Sequence, residues 1–539
     1  MTGWTRHAAA LIGLAALLSG CAKTPPPQGT AARQVLRVGN GDEPQDLDPH
    51  VVTGIPEYKI IQSLTEGLIS PDPKDQHPVP GVASSWEISD DRLVYTFHLR
   101  PDARWSDGSP VTSEDFLVSW KRILSPKIGA EFAYLVYNYV KGAKDYYDGK
   151  TSDFSTVGFR APDPRTIIVT LKNPTPYLLR IISNHQSWYP VPVKTLARFG
   201  ALTERNTAWT RPGNFVGNGP FVLSEWIPHQ KLVVTRSPTY WDRANVHLDE
   251  IDFMPVPDEG TEERMFRTGQ LDCTETIPIS KIATYEREHP EMLRLDPFVA
   301  VYYYRFNVAF GPFKDKRVRK ALSLAVDRER IVRDVTRGHQ RPAYALSYPD
   351  VGGYTSRAQL SGSLDDARRL LAEAGYPGGR GLPLIHLLYN TSEGHKQIAE
   401  AVQEMWRRNL GVESELVNEE WKVYLAAMHA TQFEVCRSGW VATFPDPSVF
   451  LDIMTSDNGN NCTNYSNPEY DRLEAASLLA RNDTDRYEIY QKMDAILVDD
   501  CPVIPIYYYT RGYLLSPKVR GYWPNILDTH PYKYIYLQD

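Results

Sequence analysis

"VIPIYYYTRGYLLS", residues 503–516, is the stretch on which the organisation of this chain turns. Rich in β-branched and aromatic residues, it reads as a strand. The segment before it has a different grammar. VAVYYYRFN (299–307) is a strand, and KDKRVRKALSLAVDRERIVRDV (314–335) reads as one long helix with apolar positions at 318, 321, 322, 325 and 326. A short helix at 364–374 ends at Gly375. The strand LPLIHLLYN (382–390) leads into a helix capped by Ser392 and closed by Gly411. Such alternation argues for βα units around a partly parallel sheet.

The first part of the chain is richer in hairpins. VLRVGN (35–40) is a strand, Ile55 to Leu64 has helical spacing, and SWEISDDRLVYTFHLR (85–100) folds back at Ser-Asp-Asp. SEDFLVSWKRIL (113–124) starts a helix with Ser113 as N-cap. TIIVTLK (166–172) is a strand and FVLSEWIPHQKLVVTRS (221–237) a second hairpin. The tail from Val503 resembles this first part more than the middle. The chain is therefore expected to return to its first domain, leaving that domain discontinuous and joined to the rest by a few strands.

The other end supplies an address. In MTGWTRHAAALIGLAALLSGC, Arg6 gives a positive n-region and Ala8–Leu18 an apolar run too short to remain as a membrane helix. Leu18-Ser19-Gly20-Cys21 resembles the bacterial lipobox, in which the cysteine is lipidated; the competing reading is an ordinary secretory signal with a chance cysteine. Residues 1–20 are read as signal peptide and 21–33 as lipidated Cys21 and tether, since AKTPPPQGTAARQ cannot bury a core. The expected location is extracytoplasmic: an exported body lipid-anchored at the periplasmic or outer face of a cell membrane.

The mature body, about 500 residues, is too long for one core and suits two or three domains. A net charge of −7 with both signs mixed along the chain argues against a nucleic-acid partner. The 32 tyrosines and 12 tryptophans suit a large recognition surface, although cores use them too. Besides Cys21 there are Cys273, Cys436, Cys462 and Cys501; disulfides in any of three pairings, or four buried thiols, remain open. No spacing matches a zinc site or a redox CxxC.

Catalytic spellings are missing: no HExxH, no GxSxG, no P-loop and no GxGxxG after a strand. The 13 histidines are scattered. The pairs Asp90-Asp91, Asp365-Asp366 and Asp499-Asp500 look like turn or surface pairs. No catalytic residue, cofactor or metal is expected.

A set of stretches then points to a family. LDPH (47–50), VYTFHLRPDARWSDGSPVT (94–112), PTPYLL, GNGPFVL, YYYRFN, VRKALSLAVDRE, LLAEAGY, LLYNTSEGHK, EEWK, RSGWVATFPDPSVFL, SDNGNN and PVIPIYYY, in this order and over nearly the whole mature chain, resemble the oligopeptide-binding proteins of bacterial ABC importers. The resemblance implies an α/β, two-lobed periplasmic-binding-protein-like fold with an extra domain and a ligand cleft between the lobes. It implies domain I at 34–65, 190–298 and 503–539, domain II at 66–189 and domain III at 299–502. The lobes would close on a peptide or peptide-like ligand, and the receptor, a monomer, would deliver it to ABC permease subunits. A sensor or chaperone on the same scaffold, and a hydrolase using the cleft, are the competing functions.

The resemblance also assigns residues. Arg437, Gly439, Trp440 and Val441 match the segment that pairs with the ligand main chain, like strand addition at a sheet edge. Trp421 matches a pocket tryptophan, and Asn390 and His395 match pocket residues. Arg437 and His395 stand where the family receives a peptide carboxylate. Ile55, Tyr303 and Tyr508 complete the expected contacts. Core packing for Trp440 and a helix-surface place for His395 are the alternatives.

The chain departs from the family at one end of the ligand. After Gly-Trp the usual aspartate, which binds the peptide α-amine, is Thr443. Around Thr53 close members carry glutamate, Phe132 stands for a tyrosine, and Arg305 stands where relatives often have glutamate. Losing a charged hydrogen bond, about 1.5–3 kcal/mol, weakens a free-amine ligand by roughly tenfold to more than a hundredfold. The expected ligand is N-blocked or acidic unless Asp446 or Glu275 replaces the lost acid.

Overall fold

The computed structural model describes residues 33–538 except Pro176 and Arg481. The leader, Cys21 and nearly all of the tether lie outside the described residues.

The first strand, Val35–Gly41, runs parallel to Glu250–Pro255, with Leu36 opposite Ile251 and Val38 opposite Phe253. Lys231–Arg236 and Phe221–Ile227 continue the sheet antiparallel. Alternation along these strands sends Leu36, Val38, Leu232, Val234, Ile251 and Phe253 to one face. There they meet Ile60, Ile61 and Leu64 of the helix Ile55–Leu64, whose Pro56 sits in the first turn, where its missing N–H costs nothing. Tyr513, Leu515, Val519, Tyr532 and Ile535 enter this same core. The tail thus contributes to the first core.

The second sheet has the order Ala83–Ile88, Val94–Leu99, Thr166–Thr170, Phe159–Asp163, all antiparallel. The helix Ser113–Ile123 lays Phe116 and Trp120 into the same core, Trp120 stacking on Phe159 at 4.4 Å. Its N-cap is Thr112, not Ser113: the Asp115 carboxylate accepts from the Thr112 N–H at 2.8 Å and hydroxyl at 2.9 Å. Ser113 instead donates its hydroxyl to Asp163 O, tying helix to sheet.

The third sheet has six strands in the order Arg341–Pro342, Val503–Leu514, Leu293–Phe306, Val435–Val441, Ile385–Asn390, Ser414–Glu419. Ile385–Asn390 runs parallel to both of its neighbours and the other pairs are antiparallel, so the sheet is partly parallel as expected. The helix Glu393–Leu410 has Ser392 as its cap, accepting from the His395 N–H, and Gly411 in the left-handed conformation as its stop. The long helix expected over 314–335 is broken. Its first part is Lys316–Leu324; Asp327 then caps a new start by accepting from the Arg330 N–H. Buried Arg328 supplies the reason: its guanidinium turns inward to the carbonyls of Pro505, Ser323 and Val326.

Two long strands join these parts. Leu293–Phe306 and Val503–Leu514 pair from Leu293–Leu514 at one end to Arg305–Val503 at the other. The first end packs near the first sheet and the second inside the third. Cys273, Cys436, Cys462 and Cys501 are all free and buried. Among the described residues no helix is long and apolar enough to cross a membrane.

Candidate functional site

Strand Val435–Val441 has one complete edge and one unfinished edge. On one side it pairs with Leu293–Phe306 from Val435 to Val441; on the other Ile385–Asn390 covers only Val435 and Cys436. Ala442 N–H donates to Val299 O at 2.8 Å. By the two-residue period, the amides of Val441 and Gly439 then face away from that partner. They face a cavity of about 440 Å³. Its walls come from the first sheet's segments (40–62, 256–282), from residues 132 and 184–186, and from the third sheet and the tail (390–443, 507–529).

Arg437, Gly439, Trp440, Val441 and Thr443 line it along the strand. Asn390, His395 and Trp421 line it from neighbouring elements, and Thr53, Ile55 and Phe132 from the opposite side. Tyr303 and Tyr508 do not. Both lie on the far face of their strands, in the core shared with the second sheet, and Tyr508 donates to Ala345 O and Ser347 O. Tyr507 and Tyr509, the neighbours of Tyr508, line the cavity instead, whereas Tyr302 and Tyr304, the neighbours of Tyr303, lie in the third sheet's core. Tyr508 is one step out of register, and a step of one in a strand changes the face.

Arg437 is the strongest charge on the strand side. It donates to Tyr509 Oη at 2.7 Å and to Asn390 Oδ1 at 3.4 Å, and lies over the Tyr302 ring at 4.8 Å. Its buried Nε has no partner, and no carboxylate pairs with it among the described residues. His395 stands near it, and burial with the neighbouring Arg437 charge holds the imidazole neutral, well below its usual pKa. Trp421 stacks on Tyr424, whose hydroxyl donates to Arg437 O at 2.5 Å.

At the other end Phe132 lies 6.3 Å from the Trp440 ring, and the Thr53 hydroxyl is 3.4 Å from His429 Nε2. Arg305, 3 % exposed, lines this end. It donates to Ser438 Oγ at 3.0 Å and to Asn460 O at 2.6 Å, and has no carboxylate partner among the described residues. Burial and the Arg305 charge push His429 down to about 4, so it is neutral. This end is therefore positive.

Neither candidate for the missing acid is available. Asp446 is buried outside the cavity wall, paired with Arg486 at 2.7 Å and accepting from the Ser448 N–H. Glu275 does line the cavity but is already held by Lys59 and by Arg511 at 3.3 Å; Arg511 in turn pairs with Asp528 at 2.6 Å. Three further acids at the site carry no sequence motif. Glu262 accepts from the Glu275 and Thr276 N–H groups, and burial pushes its pKa up to about 8. Glu259 accepts from Ser392 Oγ at 2.6 Å, joining the two sides of the cavity. Asp42 opens into the same space.

The two sides also meet outside the cavity. Tyr177 stacks on Phe444 at 5.6 Å and 11°, and Lys144 pairs with Asp457 at 2.8 Å; Asn460, on the cavity wall, donates through Nδ2 to Glu131 O at 3.2 Å. Arg486 lies over Tyr177 at 4.8 Å.

Comparison with known proteins agrees with this architecture. Residues 77–462 match the family model described as bacterial extracellular solute-binding proteins, family 5 Middle. The chain is 38 % identical to the periplasmic oligopeptide-binding protein OppA of Escherichia coli K12, over 97 % of this chain and 96 % of that one. The solved structure of the Escherichia coli murein tripeptide binding protein MppA matches with a TM-score of 0.89 at 35 % identity, covering 94 % of this chain and 99 % of the other. The unliganded open form of the same protein matches at only 0.61, with 34 % identity and 94 % and 98 % coverage. The fold is the two-lobed α/β arrangement with a cleft between the lobes, and this chain belongs to the bacterial extracellular solute-binding proteins of family 5.

Proposed function

We propose that the protein is an extracytoplasmic receptor for peptides or peptide-like ligands that delivers them to an ABC import permease. Its lobes close on the ligand as domain I (34–65, 190–298, 503–539) with domain II (66–189) rotates against domain III (299–502). It acts as a monomer held to a membrane by lipid on Cys21. The ligand main chain adds a strand along Gly439 and Val441, and its carboxylate meets Arg437 beside neutral His395 and Asn390. The opposite end, around Thr53, Phe132 and Thr443, receives an N-blocked or acidic group.

One observation carries the last point: Arg305 brings a buried positive charge without a carboxylate partner to the end where a free amine would need an anion. Two buried cations repel, and an ammonium there lacks the charged acceptor that its desolvation requires. The test is calorimetric titration of ligand-stripped protein with a free tripeptide, its N-acetyl form and an acidic N-acetyl tripeptide. The acetylated and acidic forms are expected to bind more tightly. Submicromolar binding of free tripeptides with failure of the acetylated ones would overturn this reading. Native mass spectrometry of the freshly purified protein identifies what it carries from the cell.

A further inference from the structure

The cavity has a second polar region, made of acceptors, that a carboxylate on Arg437 leaves unexplained. Asn40, next to last in the first strand, is 1 % exposed. Its Nδ2 donates to the carbonyls of Asp42 and Pro56, both at 3.3 Å, while its Oδ1 has no partner. Two residues on, after Gly41 at φ +65°, the Asp42 carboxylate faces the cavity with no ion pair or hydrogen bond among the described residues. Glu57, fully buried, accepts from the Gln45 N–H at 2.6 Å, and Trp421 lies beside its other oxygen. That Oε2 fills the space that a side chain at Gly54 would take, so Glu57 backs Gly54, which lines the cavity.

These acceptors lie in a negative neighbourhood. The charges acting on Asp42 are Glu420, Glu57 and Glu275 on one side of the balance and Arg437 on the other. Lys59 is committed to Glu275, and Lys422 offsets Glu57 only in part. Burial first, and then the neighbouring acids, push Asp42 up to about 7; burial pushes Glu57 up to about 7 as well. The arrangement does not suit a metal ion. Among the described residues three ligand atoms converge within 4.8 Å only at Asp72, Asp75 and His77, on the surface. Acceptors spread along a wall suit a larger cation with several N–H groups, and the nearness of Arg437 puts such a cation within one residue of the ligand carboxylate.

Resting on the peptide reading above, we propose that Asn40 and Asp42, with the charge of Glu57 behind them, receive the side-chain amine or guanidinium of the ligand's carboxy-terminal residue. The receptor then selects peptides that end in a basic residue and carry a blocked or acidic group at the other end.

The test compares N-acetyl-Ala-Glu-Lys with N-acetyl-Ala-Glu-norleucine, equal in length and acid content, by titration calorimetry on the ligand-stripped protein. The lysine peptide is expected to bind at least about tenfold more tightly. In Asp42→Asn the ratio is expected to fall to about threefold or less, and Glu57→Gln, with its melting temperature checked, is expected to compress it in the same way. Equal binding of the two peptides to the wild-type protein would overturn the inference and leave the peptide reading standing. Binding of neither would overturn the peptide reading and this one with it.

Discussion

A guanidinium held by Tyr509, Asn390 and the face of Tyr302 has its charge solvated but not neutralised. Arg437 is therefore the residue whose loss discriminates ligands by their end group. In Arg437→Lys, which keeps the charge and loses the planar fork, the preference for a free-acid peptide over its C-terminal amide should fall by about tenfold or more. Competition binding with the acid and amide forms measures that ratio; an unchanged ratio would place the carboxylate elsewhere. Arg437, Arg305 and Thr443 were legible in the sequence because they stand inside strongly spelled segments. Tyr303 and Tyr508 were misplaced because the six tyrosines of 302–304 and 507–509, on two paired strands, give no sign of which parity faces the cavity. Asn40, Asp42 and Glu57 were invisible for another reason. A Gly-Asp pair after a strand reads as an ordinary turn, and Glu57 reads as the acidic first turn of a helix.

At the scale of elements, the contact between the LDPH segment and helix Ser113–Ile123 joins the first core to the second. Arg122 grips Asp48 through both oxygens, and its Nε donates to Leu202 O at 2.5 Å. His50 Nδ1 stands 3.0 Å from the same guanidinium and is neutral, burial and Arg122 having pushed it down to about 4. Burial opposes the charge of Asp48, but Arg122 overrides it and keeps the carboxyl below its usual range. Removing one partner strands the other, so Asp48→Ala should destabilise the protein by about 3–5 kcal/mol. Chemical denaturation reads this directly, and a change below about 1 kcal/mol would mean that water reaches Arg122. Most element positions were legible from alternation and helical period. The break of the expected 314–335 helix was not, because propensity and apolar spacing are continuous there. Only the tertiary partners of Arg328 reveal that its side chain must turn inward.

For the whole molecule, the closure proposed above makes the contacts between the lobes depend on state. A relative's unliganded open form matches this chain at a TM-score of 0.61, against 0.89 for that protein's other structure, and on the proposed reading the stacking of Tyr177 on Phe444 forms only when the lobes are closed. Tyr177 lies outside the cavity lining. Tyr177→Ala should weaken ligand binding about three- to tenfold, because an aromatic pair contributes about 0.5–1.5 kcal/mol beyond its buried area and here favours one state only. Small-angle scattering should show the ligand-free variant indistinguishable from wild type, with more ligand needed to reach the compact form. A variant that binds normally would show that closure draws on other contacts.

The unfinished edge of strand Val435–Val441 has a consequence for what the protein meets in its compartment. An uncapped edge invites any extended chain, including that of another folded protein. This one lies at the bottom of a recess walled by both lobes, so a folded molecule cannot bring an edge of its own against it. Only a single thin chain reaches Gly439 and Val441. In the receptor role proposed above, the fold would act as a sieve for the state of a polypeptide, admitting short, unfolded fragments and turning away intact proteins before any side chain is read.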